Sequence, residues 1–376
     1  MPMKSKKRKR MIVLFLIFGL LVAGIFAFLN HPLFGKSPSG ERLERIKNNP
    51  HYKNETFHNI SHTPSLAEDV SYWQVFKDML FSKVENTRPN DSIPYVNTDI
   101  SQLDITADYM VWFGHSSYFI QADEKKFLID PVLTKNASPI YGTNVAFKGA
   151  DTFRYDNIPA IDFLIITHDH YDHLDYTTFK NIQHKVSKIV CPLGVGEHLE
   201  YWGYAPENII ELEWWENMPL TNEITITATP TRHFSGRGFK RNNTLWASYA
   251  LQTSKLKMYL GGDSGYDNHF KEIGEKHGPF DLAILENGQY NYKWKYIHLM
   301  PKEVIQAAKD LQAKAFFPVH SAKFKLADHP WKEPLEQVAL LHKQEENLNL
   351  FTPKIGEVVY LNDTEQNFDP WWEEVE

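Results

Sequence analysis

The segment THDHYDHLD, residues 167–175, constrains this chain more than any other feature. It follows AIDFLIIT, an apolar run with the pattern of a buried strand. His168, His170, Asp172 and His173 form the pattern His-x-His-x-Asp-His within six residues. Imidazole nitrogens and carboxylate oxygens are the donors that zinc accepts. Four of them crowd irregular backbone at a strand end, as many as one tetrahedral ion takes in all. That spacing suits two ions side by side.

Two ions need further ligands, and later strand ends can supply them. ITITATPTRH ends in His233, KMYLGGD in Asp263 and AKAFFPVH in His320. Each is a metal-capable side chain closing an apolar run, and loops at one sheet edge converge. Around them, YMVWFGHSSYFIQA and KKFLIDPVL read as paired strands about a DEKK turn. HKVSKIVCP, NEITITATPT, LWASYALQT and FDLAILE read as further strands, and VGEHLEYWG and PKEVIQAAKDLQ as helices. Strands pair locally first and alternate with helices later, so the expected class is α/β and layered. No internal repeat is visible.

The N-terminus is of a different kind. Met11–Leu29 is apolar and uncharged, just long enough to cross a hydrocarbon core of about 30 Å. Lys4, Lys6, Lys7, Arg8, Lys9 and Arg10 precede it, and the positive-inside tendency keeps such a block cytoplasmic. The expected division is a basic cytoplasmic segment 1–10, a transmembrane anchor 11–29 and an N-terminal extension 30–105 packing on a catalytic domain 106–365. The catalytic domain then lies on the non-cytoplasmic side. A cleaved signal peptide is the rival reading, with VAG at 22–24 as a poor cleavage site inside the run.

Charge narrows the function classes. The net charge is −7, and −13 once those six N-terminal cations are set aside. An acidic body disfavours a nucleic-acid binder, which needs a basic face. The single cysteine, Cys191, excludes an intrachain disulfide and any Cys-x-x-Cys site, and reads as a buried strand end.

The chain resembles the metallo-β-lactamase-fold hydrolases, and within them the N-acyl-phosphatidylethanolamine-hydrolysing phospholipase D group. The resemblance runs over roughly residues 40–360. It is carried by NNPHYKNETFHN, VWFGHSS, THDHYDHLDYTTF, IIELEWWE, TPTRHF, NTLWASYAL, YLGGDSGY, FKEIGEKHGPFDLAILENGQY, YIHLMPKEV and PVHSAKF. It implies an αββα sandwich with the site at one edge and two zinc ions as cofactors. His168, His170 and His233 would hold one ion and Asp172, His173 and His320 the other, with Asp263 bridging. ENGQYNYKW, expected to line the cavity, matches the mammalian enzymes less closely.

The implied activity is release of N-acylethanolamine and phosphatidic acid, through a water made acidic by the ions. The implied partners are a phospholipid substrate and the membrane, with a homodimer as a candidate assembly. His298 in KYIHLMP and Asp172 are the candidate catalytic residues, His298 for the phosphate or the leaving oxygen. Asp169 is expected to orient a ligand, His115 to hold a loop beneath the ions, and Asp130 to serve as a turn or a support to a ligand. Tyr171 is within reach of substrate or packs on the following helix, while Trp214 and Trp215 read as packing. His184, His198 and His342 have no expected role. The same site on another substrate, a lactone, a soluble phosphodiester or a β-lactam, is the alternative. A metal-binding protein without turnover is a third reading.

Overall fold

The computed structural model describes residues 3–81, 84–363 and 366–376. Two seven-stranded sheets are built on one plan. The first runs Val358–Tyr360, Tyr109–Trp112, Tyr118–Ala122, Lys125–Ile129, Ile161–Ile165, Val186–Pro192, Ile209–Leu212. Its first four strands pair antiparallel and the last three join in parallel. The second runs Asn217–Pro219, Thr225–Thr229, Ser248–Gln252, Lys257–Leu260, Leu282–Glu286, Ala315–Val319, Asn349–Leu350. It too is antiparallel over four strands and parallel over the last three. The repetition is topological and leaves no periodic trace in the sequence.

Alternation along each strand separates the layers. Leu282 and Ile284 face the large core that includes both sheets, whereas Ala283 and Leu285 belong to a second core. That second core includes Phe270 and Ile273 of helix His269–His277, Val304 and Ala308 of Pro301–Asp310, and Val338 of Glu333–His342. Phe179 and Ile182 of Tyr176–Ile182 and Leu199 of Gly196–Tyr201 join the large core. This is an αββα sandwich.

Local chemistry fixes the register. Ala122 pairs with Lys125, so the hairpin turns on two residues, Asp123 and Glu124, with φ of 48° and 60°. The Asp123 carboxylate then accepts from Ser254 N–H at 2.6 Å and Ser254 Oγ at 2.9 Å, joining the hairpin tip to the other sheet.

Helix Met3–Leu29 takes in the basic block as well as the apolar run. Its Lys6–Leu29 portion is long and apolar enough to cross a membrane, and none of its apolar window is buried. The chain leaving it is a strap bonded to the body. Trp202 Nε1 donates to Pro32 O at 2.8 Å, and the Arg237 guanidinium donates to Leu33 O at 2.8 and 3.1 Å. Lys36 N–H donates to His198 Nδ1 at 2.9 Å, and Arg42 pairs with Glu197 and Glu211, each at 2.7 Å. Gly35, at φ +70°, lies where a Cβ would come within 2.1 Å of His198 Nδ1, so no other residue fits the crossing.

Candidate metal centre

Every expected ligand sits just past the carboxyl end of a strand, where loops of the two sheets meet. His168, His170, Asp172 and His173 follow Ile161–Ile165, and His233 follows Thr225–Thr229. Asp263 follows Lys257–Leu260, and His320 directly follows Ala315–Val319. The turn can close because Gly262 passes tight against its neighbours, where a Cβ would lie 2.7 Å from Ala247 O. His115, Asp130 and His320 all adopt left-handed φ, at 54°, 40° and 68°. Such strain in non-glycine residues collects at functional sites.

The side chains form two overlapping clusters. Donor atoms of His168, His170 and His233 converge, with His168 Nε2 to His170 Nδ1 at 2.9 Å and His233 Nε2 to His170 Nδ1 at 3.3 Å. Asp172, His173 and His320 converge with His115. Asp263 stands between the clusters: Oδ1 is 3.3 Å from His173 Nε2, and Oδ2 is 3.1 Å from His320 Nε2 and 3.8 Å from His233 Nε2. The two sets meet at one carboxylate.

The donor chemistry fits divalent cations. His173 Nε2 and Asp263 Oδ1 are buried and, among the described residues, have no hydrogen-bond partner. Unsatisfied buried polar atoms are costly, and a coordinated ion removes that cost. Burial pushes His168 and His233 well below the ordinary imidazole value, toward the neutral form that coordinates metal. Burial alone would raise Asp172 and Asp263, but the surrounding imidazoles win and hold both carboxyls well below the usual range. His173, despite its burial, is pushed up to about 10 by Asp263, Asp172 and Asp130. Proton charge on His173 thus occupies the electrostatic place of a cation.

Neighbouring groups hold the orientation of the candidate ligands. Asp130 Oδ2 accepts from His173 Nδ1 at 2.8 Å and from Thr167 Oγ1 at 2.5 Å, and its Oδ1 accepts from Thr167 N–H at 2.8 Å. His233 Nδ1 lies 2.9 Å from Ile297 O, which turns its Nε2 toward the cluster. His115 Nε2 lies 2.9 Å from Asp172 Oδ2, and the His115 backbone exchanges hydrogen bonds with Ser321 and His320, each at 3.1 Å. Burial and His320 lower the His115 imidazole to about 3 against the pull of Asp172.

His298 joins the site: its Nδ1 is 3.1 Å from Glu286 Oε2 and 4.0 Å from Asp263 Oδ2, and its side chain is 12% exposed. Glu286, buried at the end of FDLAILE, also lies 3.4 Å from His320 Nδ1. It was absent from the expected set, although it closes an apolar strand as the ligands do. Asp169 turns away from the ligands. Its carboxylate accepts from Gly236 N–H at 2.6 Å and Thr244 Oγ1 at 3.0 Å and lies 3.2 Å from His198 Nε2, tying the loop to the strap. Tyr171 donates to Arg237 O at 2.5 Å, under the Arg237 guanidinium. Trp214 is buried, with Nε1 donating to Trp246 O at 2.6 Å.

Residues 125–321 match the Beta-lactamase superfamily domain. The chain belongs to this superfamily. Its metallo-β-lactamase-fold domain is that of a metal-dependent hydrolase. An uncharacterized protein of Mycobacterium tuberculosis is 35% identical over 327 residues, covering 86% of this chain and 87% of the relative. N-acyl-phosphatidylethanolamine-hydrolyzing phospholipase D 1 of Caenorhabditis elegans is 28% identical over 353 residues, covering 86% of this chain and 96% of that protein. Among solved structures, isothiocyanate hydrolase from Delia radicum gut bacteria superposes with a TM-score of 0.52 at 19% identity, over 67% of this chain and 98% of that one. That likeness is one of fold.

Proposed function

We propose that this protein is a membrane-anchored dizinc phosphodiesterase that cleaves N-acyl-phosphatidylethanolamine to N-acylethanolamine and phosphatidic acid. The observation that carries the substrate is the alignment with the worm phospholipase over nearly that protein's whole length. His168, His170 and His233 would hold one ion, Asp172, His173 and His320 the other, and Asp263 would serve both. Two such ions supply an acidified water and offset negative charge on the phosphoryl oxygens. Water oxygen bonds to phosphorus, and the bond from phosphorus to the ethanolamine oxygen breaks.

The chain's own residues do the positioning. Glu286 orients His298, leaving the far imidazole nitrogen to hold the proton that the departing oxygen takes. Asp172 is kept ionised by its imidazole neighbours, and Asp130 keeps the His173 proton on Nδ1. The apolar helix would hold the mouth of the site in the plane of its substrate.

The test is direct. The full chain, purified in detergent with its metal content measured, is incubated with N-acyl-phosphatidylethanolamine. Phosphatidic acid and N-acylethanolamine should appear together and vanish on chelation. Two bound zinc ions with no phosphatidic acid would sink the proposal. Faster turnover of a soluble diester, lactone or β-lactam, whatever the detergent, would replace the substrate.

A further inference from the structure

Beside the strap, eight residues beyond the end of helix Met3–Leu29, an open groove of about 720 Å³ is lined by Ser37 and Pro38, and by Lys47, Lys240 and Arg241. Glu55 is the only carboxylate in its wall. Lys47 shares its charge with Glu44 at 2.8 Å, whereas Lys240 and Arg241 make no ion pair among the described residues, and the Arg241 guanidinium lies over the Phe234 ring, 5.0 Å from its centroid. Two cations without a carboxylate partner among the described residues, on a body of charge −13, mark a local reversal of sign. Phe239, next to them, is 92% exposed. An apolar ring flanked by cations is the side-chain set that enters a lipid interface.

Position supports the same occupant. Ser37 follows Leu29 by eight residues, a reach of at most about 27 Å even if fully extended. The groove therefore lies within one such reach of the level at which the helix would leave the hydrocarbon. A second groove of about 340 Å³ shares Ser37, Pro38 and Lys240 and extends past Phe239 to Asp169 and His198. The cationic surface is thus continuous with the loop that carries the candidate ligands.

We infer that this groove binds the headgroup phosphate of an anionic phospholipid of the bilayer, with Lys240 and Arg241 as its cations and Phe239 seated among the acyl chains. Guanidinium and ammonium groups are the phosphate-recognising pair of the side-chain repertoire. The bound lipid is held, not cleaved. The inference rests on the membrane reading of the N-terminal helix and is independent of which substrate the metal centre cleaves.

The experiment is calorimetric titration of the full chain, in a non-ionic detergent, with short-chain dihexanoyl-phosphatidylglycerol. Dihexanoyl-phosphatidylcholine and inorganic phosphate are the comparison probes. Saturable binding of phosphatidylglycerol is expected, weakening as salt rises. Lys240→Gln/Arg241→Gln should weaken it about twenty-five-fold, since each basic residue near an anionic surface contributes about a fivefold factor. Both side chains are solvent-facing, so unchanged far-ultraviolet circular dichroism is expected of the variant. No saturable binding, or equal affinity in the double variant, would overturn the inference. Equal binding of inorganic phosphate would make this a free-anion site and overturn the lipid. Because binding is read and not turnover, an enzyme active on its substrate but blind to phosphatidylglycerol refutes this inference alone.

Discussion

Replacing Asp130 by Asn changes one atom's chemistry and should still disable a ligand it does not adjoin in sequence. In the wild type, Oδ1 accepts from Thr167 N–H at 2.8 Å, while Oδ2 accepts from Thr167 Oγ1 at 2.5 Å and His173 Nδ1 at 2.8 Å. In Asp130→Asn the amide oxygen keeps the Thr167 N–H bond, and an NH₂ now faces His173 Nδ1. Two donors cannot share that contact, so the neutral form of His173 would carry its one proton on Nε2, the nitrogen 3.3 Å from Asp263 Oδ1. A protonated Nε2 cannot coordinate metal. Losing the charge-assisted bond is a loss of about 1.5–3 kcal/mol. Loss of a carboxylate behind a ligating His typically weakens metal binding about 10–100-fold, or about 1.4–2.7 kcal/mol. Competition against a zinc-selective chelator dye measures this, with a melt of the metal-free protein checking that the variant folds. A folded Asp130→Asn protein that binds zinc as tightly as wild type would refute the reasoning, because His173 would then not depend on Asp130 for its tautomer.

Metal uptake should release protons. His173 is pushed up to about 10, so it is charged at pH 7, and it must become neutral to bind. Apparent zinc affinity should therefore climb from pH 6 toward pH 9, and calorimetry in buffers of different ionisation enthalpy should count protons released at pH 7; none released would contradict the coordination scheme. His298→Gln should keep both metal equivalents and lower turnover about a hundredfold or more; wild-type turnover would remove His298 from the chemistry. His198→Ala strips a bond from Lys36 N–H and another from the buried Asp169 carboxylate, and should lower stability in a urea melt by about 3 kcal/mol. An unchanged midpoint would show that the strap does not support the metal loop.

What could be read from the sequence followed how far apart the partners lie. The candidate ligands between His168 and His173 are neighbours in the chain, so their density alone points to a metal centre. His233, Asp263 and His320 were reachable because each closes an apolar run. Glu286 closes one too, but its part in the site exists only once His298 and His320 arrive beside it. His198 reads as a helical surface residue because its cover, the strap at Lys36, lies 162 positions away. Strand Ile209–Leu212 and helices Tyr72–Phe81 and Glu333–His342 were not anticipated as elements; Pro334 stands in the first turn of the last, a position that tolerates proline. Both halves of the sandwich share a strand plan that no sequence repeat betrays.

The strap has a consequence for motion. A flexible tether would let a catalytic body tumble above its anchor and sample lipids by random collision. Here Pro32, Leu33 and Lys36 are bonded through Trp202, Arg237 and His198 to the body, so little slack separates the end of the apolar helix from the enzyme. Rotation of the helix about its axis is then coupled to rotation of the body. With the helix seated in a bilayer, as proposed, such an enzyme would work as a fixed-angle tool: its encounter rate would be set by lateral diffusion in two dimensions, and lengthening the strap by a few glycines would slow it without touching the site.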